Sequence, residues 1–217
     1  MMRSPQGPSD FVLGLDLGQS QDFTAAVVLQ RIIVPLDAWT TDLQQKTETF
    51  YHVRHLERPP LGTSYPAIVS RVQELLQSGP LAQHPSALVV DGTGVGRPVI
   101  DLFRQAHLTP IAVTITGGEQ ESVMGLDYRV PKRTLVSTLQ LAFQTRKLKI
   151  AGGLPEAEVL VKELLNFKVK ITATAHDTYE AWREGQHDDL VLATALAVWW
   201  AERQDRSRIR TATIVGV

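Results

Sequence analysis

Three places in this chain set carboxylates against apolar sequence. Asp16 ends the run Phe11-Val-Leu-Gly-Leu-Asp16, which continues Leu-Gly18. Asp91 ends Ser86-Ala-Leu-Val-Val-Asp91, ahead of Gly-Thr-Gly-Val-Gly-Arg-Pro98. Asp188 and Asp189 precede Leu-Val-Leu-Ala-Thr-Ala-Leu-Ala-Val-Trp-Trp200. One such Asp alone reads as a surface residue at a strand end. Buried and unpaired, it costs several kcal/mol, so some cation or set of donors must offset it. Three or four carboxylates in one crevice repel each other unless divalent cations lie between them. The chain has no cysteine, and oxygen-only ligands suit Mg²⁺ or Mn²⁺. Two such ions can stabilise the attacking and leaving oxygens of a phosphoryl displacement. Asp188 has an equally good second reading as a helix N-cap.

The elements that must position these residues follow from the pattern of the chain. Strand alternation puts Phe11, Leu13, Leu15 and Leu17 on one face of the first strand, with Val12, Gly14, Asp16 and Gly18 on the other. A tight turn leads into a second, antiparallel strand over 22–30, and 35–46 reads as a polar loop. Thr47 to Leu56 forms a third strand. A helix holds Ile68, Val69, Val72, Leu75 and Leu76 and stops at Gly79-Pro80. Strand Ser86–Asp91, helix Pro98–Gln105 and a strand over 109–116 make a parallel crossover. A Gly-rich acidic loop spans 117–127. Pro131 then opens a long helix to about Arg146 in its first position. Leu148–Ile150 is a short extended piece, and Pro155 starts another helix. Lys168–Thr172 alternates like an edge strand, and 173–186 is a polar loop. The final apolar run must be a helix buried on the sheet. With the crossover strand beside the first, Asp16 and Asp91 end side by side at the carboxyl edge, where ligands of open α/β sheets collect. The last helix can hang over the same point.

Composition narrows the function classes. The 217 residues are 43% hydrophobic and 21% charged, which suits one large soluble domain. Net charge is -1, so nucleic-acid binding would have to rest on local patches or metal ions. No apolar run approaches the ~20 residues of a membrane span, and the N-terminus lacks a signal-peptide core. Gly92–Pro98 lacks the Gly-Lys-Ser/Thr ending of a Walker A loop. Its glycines are better read as keeping the backbone uncluttered beside Asp91. His187 is either a surface histidine or a group behind the carboxylates. Asp22 fixes the turn into the second strand or supports the same cluster. Lys132 and Arg133 open a helix where backbone N–H groups attract anions. Lys132 is the better phosphate contact, and Arg133 reads first as a solvated turn residue. Trp182, beside Arg183, either stacks on a nucleotide or pins its loop.

In combination, these pieces resemble the nuclease domain of phage terminase large subunits, a branch of the RNase H-like (RuvC-like) superfamily. The matching residues are Gly14-Leu-Asp16-Leu-Gly18 with Asp22-Phe-Thr24, Gly62-Thr-Ser-Tyr-Pro66, Val90-Asp91-Gly-Thr-Gly-Val-Gly96, Pro131-Lys132, and Gly185-Gln-His187-Asp-Asp189 through Ala197. The resemblance implies an α/β fold. Its central mixed sheet has five strands or slightly more, an antiparallel three-strand meander followed by parallel strands, with helices on both faces. The nuclease domain would span 10–203, between a disordered lead-in (1–9) and a basic tail (204–217). The implied activity is metal-dependent DNA endonuclease cleavage by two-metal-ion hydrolysis. Asp16 and Asp91 match the first two acidic metal ligands and Asp189 or Asp188 the third, with Asp189 favoured on motif position. His187 and Asp22 would support them, and Lys132, Arg133, Trp182 and Arg183 would meet DNA. The implied cofactor is a pair of Mg²⁺ or Mn²⁺ ions. The implied partners are double-stranded DNA and a separate packaging ATPase or portal-type protein, in the cytoplasm of a bacterial or phage-infected cell. Three other readings stay open: a junction-selective nuclease of the same fold, a catalytically silent DNA-binding or assembly module, and an actin- or sugar-kinase-like nucleotide binder suggested by the Asp-Leu-Gly turn.

Overall fold

The computed structural model describes residues 10–18, 22–41, 45–173 and 188–214. Phe11–Asp16 forms β1, and its alternation feeds two cores at once. Phe11, Leu13, Leu15 and Leu17 enter one core, and Val12 enters the other. Ala25–Trp39 (β2) returns antiparallel beside β1, and Gln45–Glu57 (β3) pairs antiparallel with β2. Helices α1 (Tyr65–Gln77) and the short α2 (Gly79–Gln83) lead to β4 (Ser86–Asp91), which lies parallel to β1. Helix α3 (Arg97–Gln105) crosses over to β5 (Pro110–Thr116), parallel to β4. Next come β6 (Ser122–Met124), β7 (Asp127–Pro131), α4 (Lys132–Gln144), β8 (Leu148–Ile150), α5 (Ala157–Ala173) and α6 (Asp189–Ile214). The described strands form one mixed sheet of eight, in the order β6-β7-β5-β4-β1-β2-β3-β8.

The expected meander and parallel additions are its centre, β3-β2-β1-β4-β5. One face is covered by α1 and α3, whose Ile68, Val72, Ile100 and Phe103 pack on Leu13, Leu15, Leu88 and Val90. The other face carries α4, α5 and α6 over Val12, Val27, Val89, Ile111 and Val113. From Leu190 to Ala201 helix α6 is almost wholly buried, as its apolar composition requires.

Several boundaries differ from the sequence reading. Residues 35–46 are not a loop throughout. The β2–β3 ladder runs on through Pro35↔Thr47 to Trp39↔Gln45, with a bulge between Pro35 and Trp39. Backbone pairing sustains this ribbon although its side chains are exposed, which removes the alternation that marks a half-buried strand. The acidic segment 117–127 contains β6, which forms a hairpin with β7 through Met124↔Asp127. Pro131 closes β7 and caps α4 instead of occupying its first turn. Lys168–Thr172 is not an edge strand, because the backbone of α5 continues helical to Ala173. The basic stretch after Arg203 likewise continues α6 to Ile214. No described helix is long and apolar enough to cross a membrane.

Candidate active site

Strands β1, β4, β5 and β7 run parallel through successive neighbours, so their carboxyl ends share one edge of the sheet. Asp16 and Asp91 terminate β1 and β4, the two strands at the centre of the described sheet. Register pairs Leu15 with Val90, and the next residues along are Asp16 and Asp91. Their backbones are therefore one strand spacing apart, roughly 4.8 Å. Both side chains take the α6 face. Ala87 and Val89 lie in that core, four and two residues before Asp91, and Gly14, two before Asp16, abuts α6.

Local hydrogen bonds fix the two strand ends. Thr93 donates its backbone N–H to Asp91 Oδ1 at 2.7 Å, and Gly92 N–H donates to the Val113 carbonyl at 2.8 Å. Asp91 is only 3% exposed. Beyond Asp16, Gly18 N–H donates to Thr24 Oγ1 at 3.1 Å, and the Tyr65 hydroxyl donates to the Gly18 carbonyl at 3.3 Å. A Cβ on Gly18 would stand 2.1 Å from the Asp22 carbonyl oxygen, so the turn closes on a glycine. Asp22 itself lies exposed in that turn.

The start of α6 stands at the same edge. Leu192 N–H donates to the Asp188 carbonyl, so Asp188 is the residue from which the helix springs, and Asp189 is its first buried carboxylate. Val191 N–H donates to Glu163 Oε2 on α5 at 3.2 Å, and Arg58 Nη1 lies 3.6 Å from Glu163 Oε1. Arg58 follows Glu57, which pairs with Ala26, which pairs with Leu15. This chain of contacts ties the first turn of α6 to the level of Asp16. Burial of Glu163 raises its carboxyl to about 7. The Val191 N–H and Arg58 oppose that rise, while the charges of Asp189 and Asp188 add to it. Through its bond to Val191, Glu163 stands beside the turn of α6 that carries Asp188 and Asp189.

Lys132 follows Pro131, the partner of Thr116 at the end of β5, and so opens α4 at the same carboxyl edge, half-buried. Arg133 is exposed and engaged: Nη1 donates to Glu119 Oε1 at 3.1 Å and Nη2 to the Glu119 carbonyl at 3.0 Å. His187, Trp182 and Arg183 lie outside the described residues. Asp16, Asp91, Asp188, Asp189 and Lys132 thus share one edge of the sheet. Among the described residues no three carboxylates or histidines converge closely enough to grip a single ion as they stand. The donor chemistry nevertheless fits hard divalent cations. All the candidates are carboxylates, two end adjacent strands, and buried acids need positive charge nearby.

Sequence reasoning missed Glu163 and its partner Arg58. Helical spacing carried a signal, because Glu163 shares the face of Ala157, Leu160 and Leu164, all buried. A carboxylate on a core-facing stripe is the informative exception.

A family model described as the terminase RNaseH-like domain matches residues 13–199. Among solved structures, the chain is similar to the large terminase nuclease from the thermophilic phage G20c. Identity is 20%, coverage is 87% of this chain and 81% of that one, and the TM-score is 0.53. It is also similar to the human cytomegalovirus terminase nuclease domain, at 14% identity, 87% and 83% coverage and a TM-score of 0.48. Thermus thermophilus RuvC matches at 14% identity, 87% and 91% coverage and a TM-score of 0.41. No curated protein sequence matches the chain.

Proposed function

The chain belongs to the family of terminase RNaseH-like domains, and on that premise we propose that it is a metal-dependent endonuclease that cuts double-stranded DNA during viral genome packaging. The observation that carries this reading is that Asp16 and Asp91 end adjacent parallel strands one residue past the pair Leu15↔Val90, on the face covered by α6, which springs at Asp188-Asp189. The site would work with a separate packaging ATPase or portal-type protein, in the cytoplasm of a phage-infected cell.

Asp16, Asp91 and Asp189, with Asp188 as the alternative third ligand, would hold two Mg²⁺ or Mn²⁺ ions. Bound there, the ions supply Lewis acidity at the scissile phosphate and lower the pKa of an attacking water. The chain's own residues do the positioning. The Thr93 N–H holds Asp91 Oδ1, which fixes the carboxylate's rotamer at the strand end. Thr24 and Tyr65 brace the turn behind Asp16 from both sides of Gly18. Gly92, Gly94 and Gly96 keep alternate positions of the loop after Asp91 without side chains, where a phosphodiester would approach. Lys132 offers a cation at the same edge, where a phosphate oxygen would meet it together with the N-terminus of α4.

The test is cleavage of supercoiled plasmid with Mn²⁺ by wild type, D16N and D91N. Asn at 91 retains an oxygen for the Thr93 N–H, so the turn survives and only the anionic ligand is lost. Both variants should keep the wild-type circular dichroism spectrum. Each should lose cleavage by about a hundredfold or more, beyond the ~10–100-fold typical of residues that merely support a ligand. Equal cutting by D91N and wild type would overturn the reading.

A further inference from the structure

We propose that Glu163 is a positioning residue for the carboxylates that open α6, and that it links them to the turn behind Asp16. The proposal rests on the metal-dependent reading of the site. Glu163 is 6% exposed, inside the stripe of α5 formed by Ala157, Leu160 and Leu164. A leucine would pack there without the cost of desolvating a carboxylate. What a leucine lacks is the acceptor. The first N–H groups of any helix have no partner within it, and in α6 Leu192 is the first to find one, on the Asp188 carbonyl. Val191, one residue earlier, donates instead to Glu163 Oε2 across the gap between two helices. Glu163 thus does from a neighbouring element what a capping side chain does from within. Its negative charge also faces the positive end of the helix dipole.

The other carboxylate oxygen faces Arg58. That guanidinium grips Glu156 Oε2 through Nε at 3.2 Å and Nη2 at 3.0 Å, and its carbon lies 5.0 Å from the centre of the Phe23 ring. Phe23 sits in the turn between Asp16 and β2. A continuous set of contacts therefore runs Phe23–Arg58–Glu163–Val191, from the segment between Asp16 and β2 to the helix turn that carries Asp188 and Asp189. Moving Glu163 by one methylene would release the first turn of α6 and leave both aspartates less sharply placed.

The experiment is Mn²⁺ binding to the full chain, read from the loss of the free-ion paramagnetic resonance signal. It is joined by amide hydrogen exchange over residues 188–192 without metal. E163Q keeps an oxygen for the Val191 N–H and should bind Mn²⁺ within about threefold of wild type, with unchanged exchange. E163D, one methylene short, should exchange faster over 188–192 while the β1 and β4 amides stay protected, and should bind Mn²⁺ about ten- to a hundredfold more weakly. E163D with wild-type exchange and wild-type Mn²⁺ affinity would overturn the proposal. So would an E163Q as impaired as E163D. D91N distinguishes the two levels of failure: wild-type Mn²⁺ affinity in D91N refutes the metal site itself, whatever E163D does.

Discussion

A Cβ placed on Gly14 would stand 2.1 Å from the carbonyl oxygen of Ala193 and 3.1 Å from the Cβ of Ala197. Helix α6 therefore rests directly on the backbone of β1, two residues before Asp16 and one helical turn after Asp189. The strand and the helix that carry the candidate ligands touch with no side chain between them on the strand side. Their separation sets how close those ligands come.

It follows that G14A forces α6 off the strand. Overpacking a dense core costs about 1–3 kcal/mol, and the backbone oxygen opposing this methyl cannot rotate away. At roughly 2–4 °C per kcal/mol for a chain of this size, the melting temperature should fall visibly. Plasmid cleavage at a temperature where G14A remains folded should fall further than the unfolded fraction accounts for. A G14A protein as stable and as active as wild type would mean that the helix can shift without consequence.

The same contact explains how much of the site was legible in the sequence. Gly14 and Asp16 alternate with leucines, and that period-2 pattern fixed both the strand and the face on which Asp16 lies. Ser86–Asp91 was equally clear, since a run buried on both faces stops at a charge. The β2–β3 ribbon was not legible beyond Gln30. Val34, Leu36 and Trp39 are exposed there, and pairing alone, which leaves no mark on composition, holds the strands together. Lys168–Thr172 misled because β-branched and charged residues alternate by chance at the end of a helix that α5 simply continues. Glu163 was hidden for a different reason. Its partners, Arg58 and the Val191 N–H, are far away in the sequence and meet only in the fold.

Glu163 also makes stability depend on pH in a direction opposite to that of most acid groups. Its folded carboxyl titrates near 7, above its ordinary value of 4.5, chiefly because burial penalises the charge. Between those values the folded chain binds more protons than the unfolded one, so stability falls as pH rises from about 4.5 to 7. E163Q cannot titrate and lacks that slope. Measured without divalent metal, the stability of E163Q relative to wild type should therefore increase from pH 5 to pH 8, by on the order of 1–3 kcal/mol. Chemical denaturation of both proteins at several pH values checks this. Parallel pH profiles for the two would show that the carboxylate is relieved by some other group.

Lys132 and Arg133 should differ in what they contribute to DNA binding, although they are neighbours in the first turn of α4. Arg133 already spends two donors on Glu119, one to its carboxylate and one to its carbonyl. A phosphate must displace that acid before Arg133 can contribute. Lys132 is half-buried at the carboxyl edge shared with Asp16 and Asp91. Each phosphate neutralised on duplex DNA adds about 0.9 to the slope of log affinity against log salt. K132A should therefore lower duplex affinity whatever the sequence and flatten that slope by nearly this amount. R133A should change it by less than half as much, and E119Q, which leaves Arg133 without its ion pair, should steepen it. Fluorescence anisotropy of a labelled duplex, in buffer with Ca²⁺ replacing Mn²⁺ to suppress cutting, measures all three. If R133A proves the more damaging of the two, phosphate displaces Glu119 readily and the DNA path runs toward β6. If neither variant alters the slope, the backbone crosses the edge elsewhere.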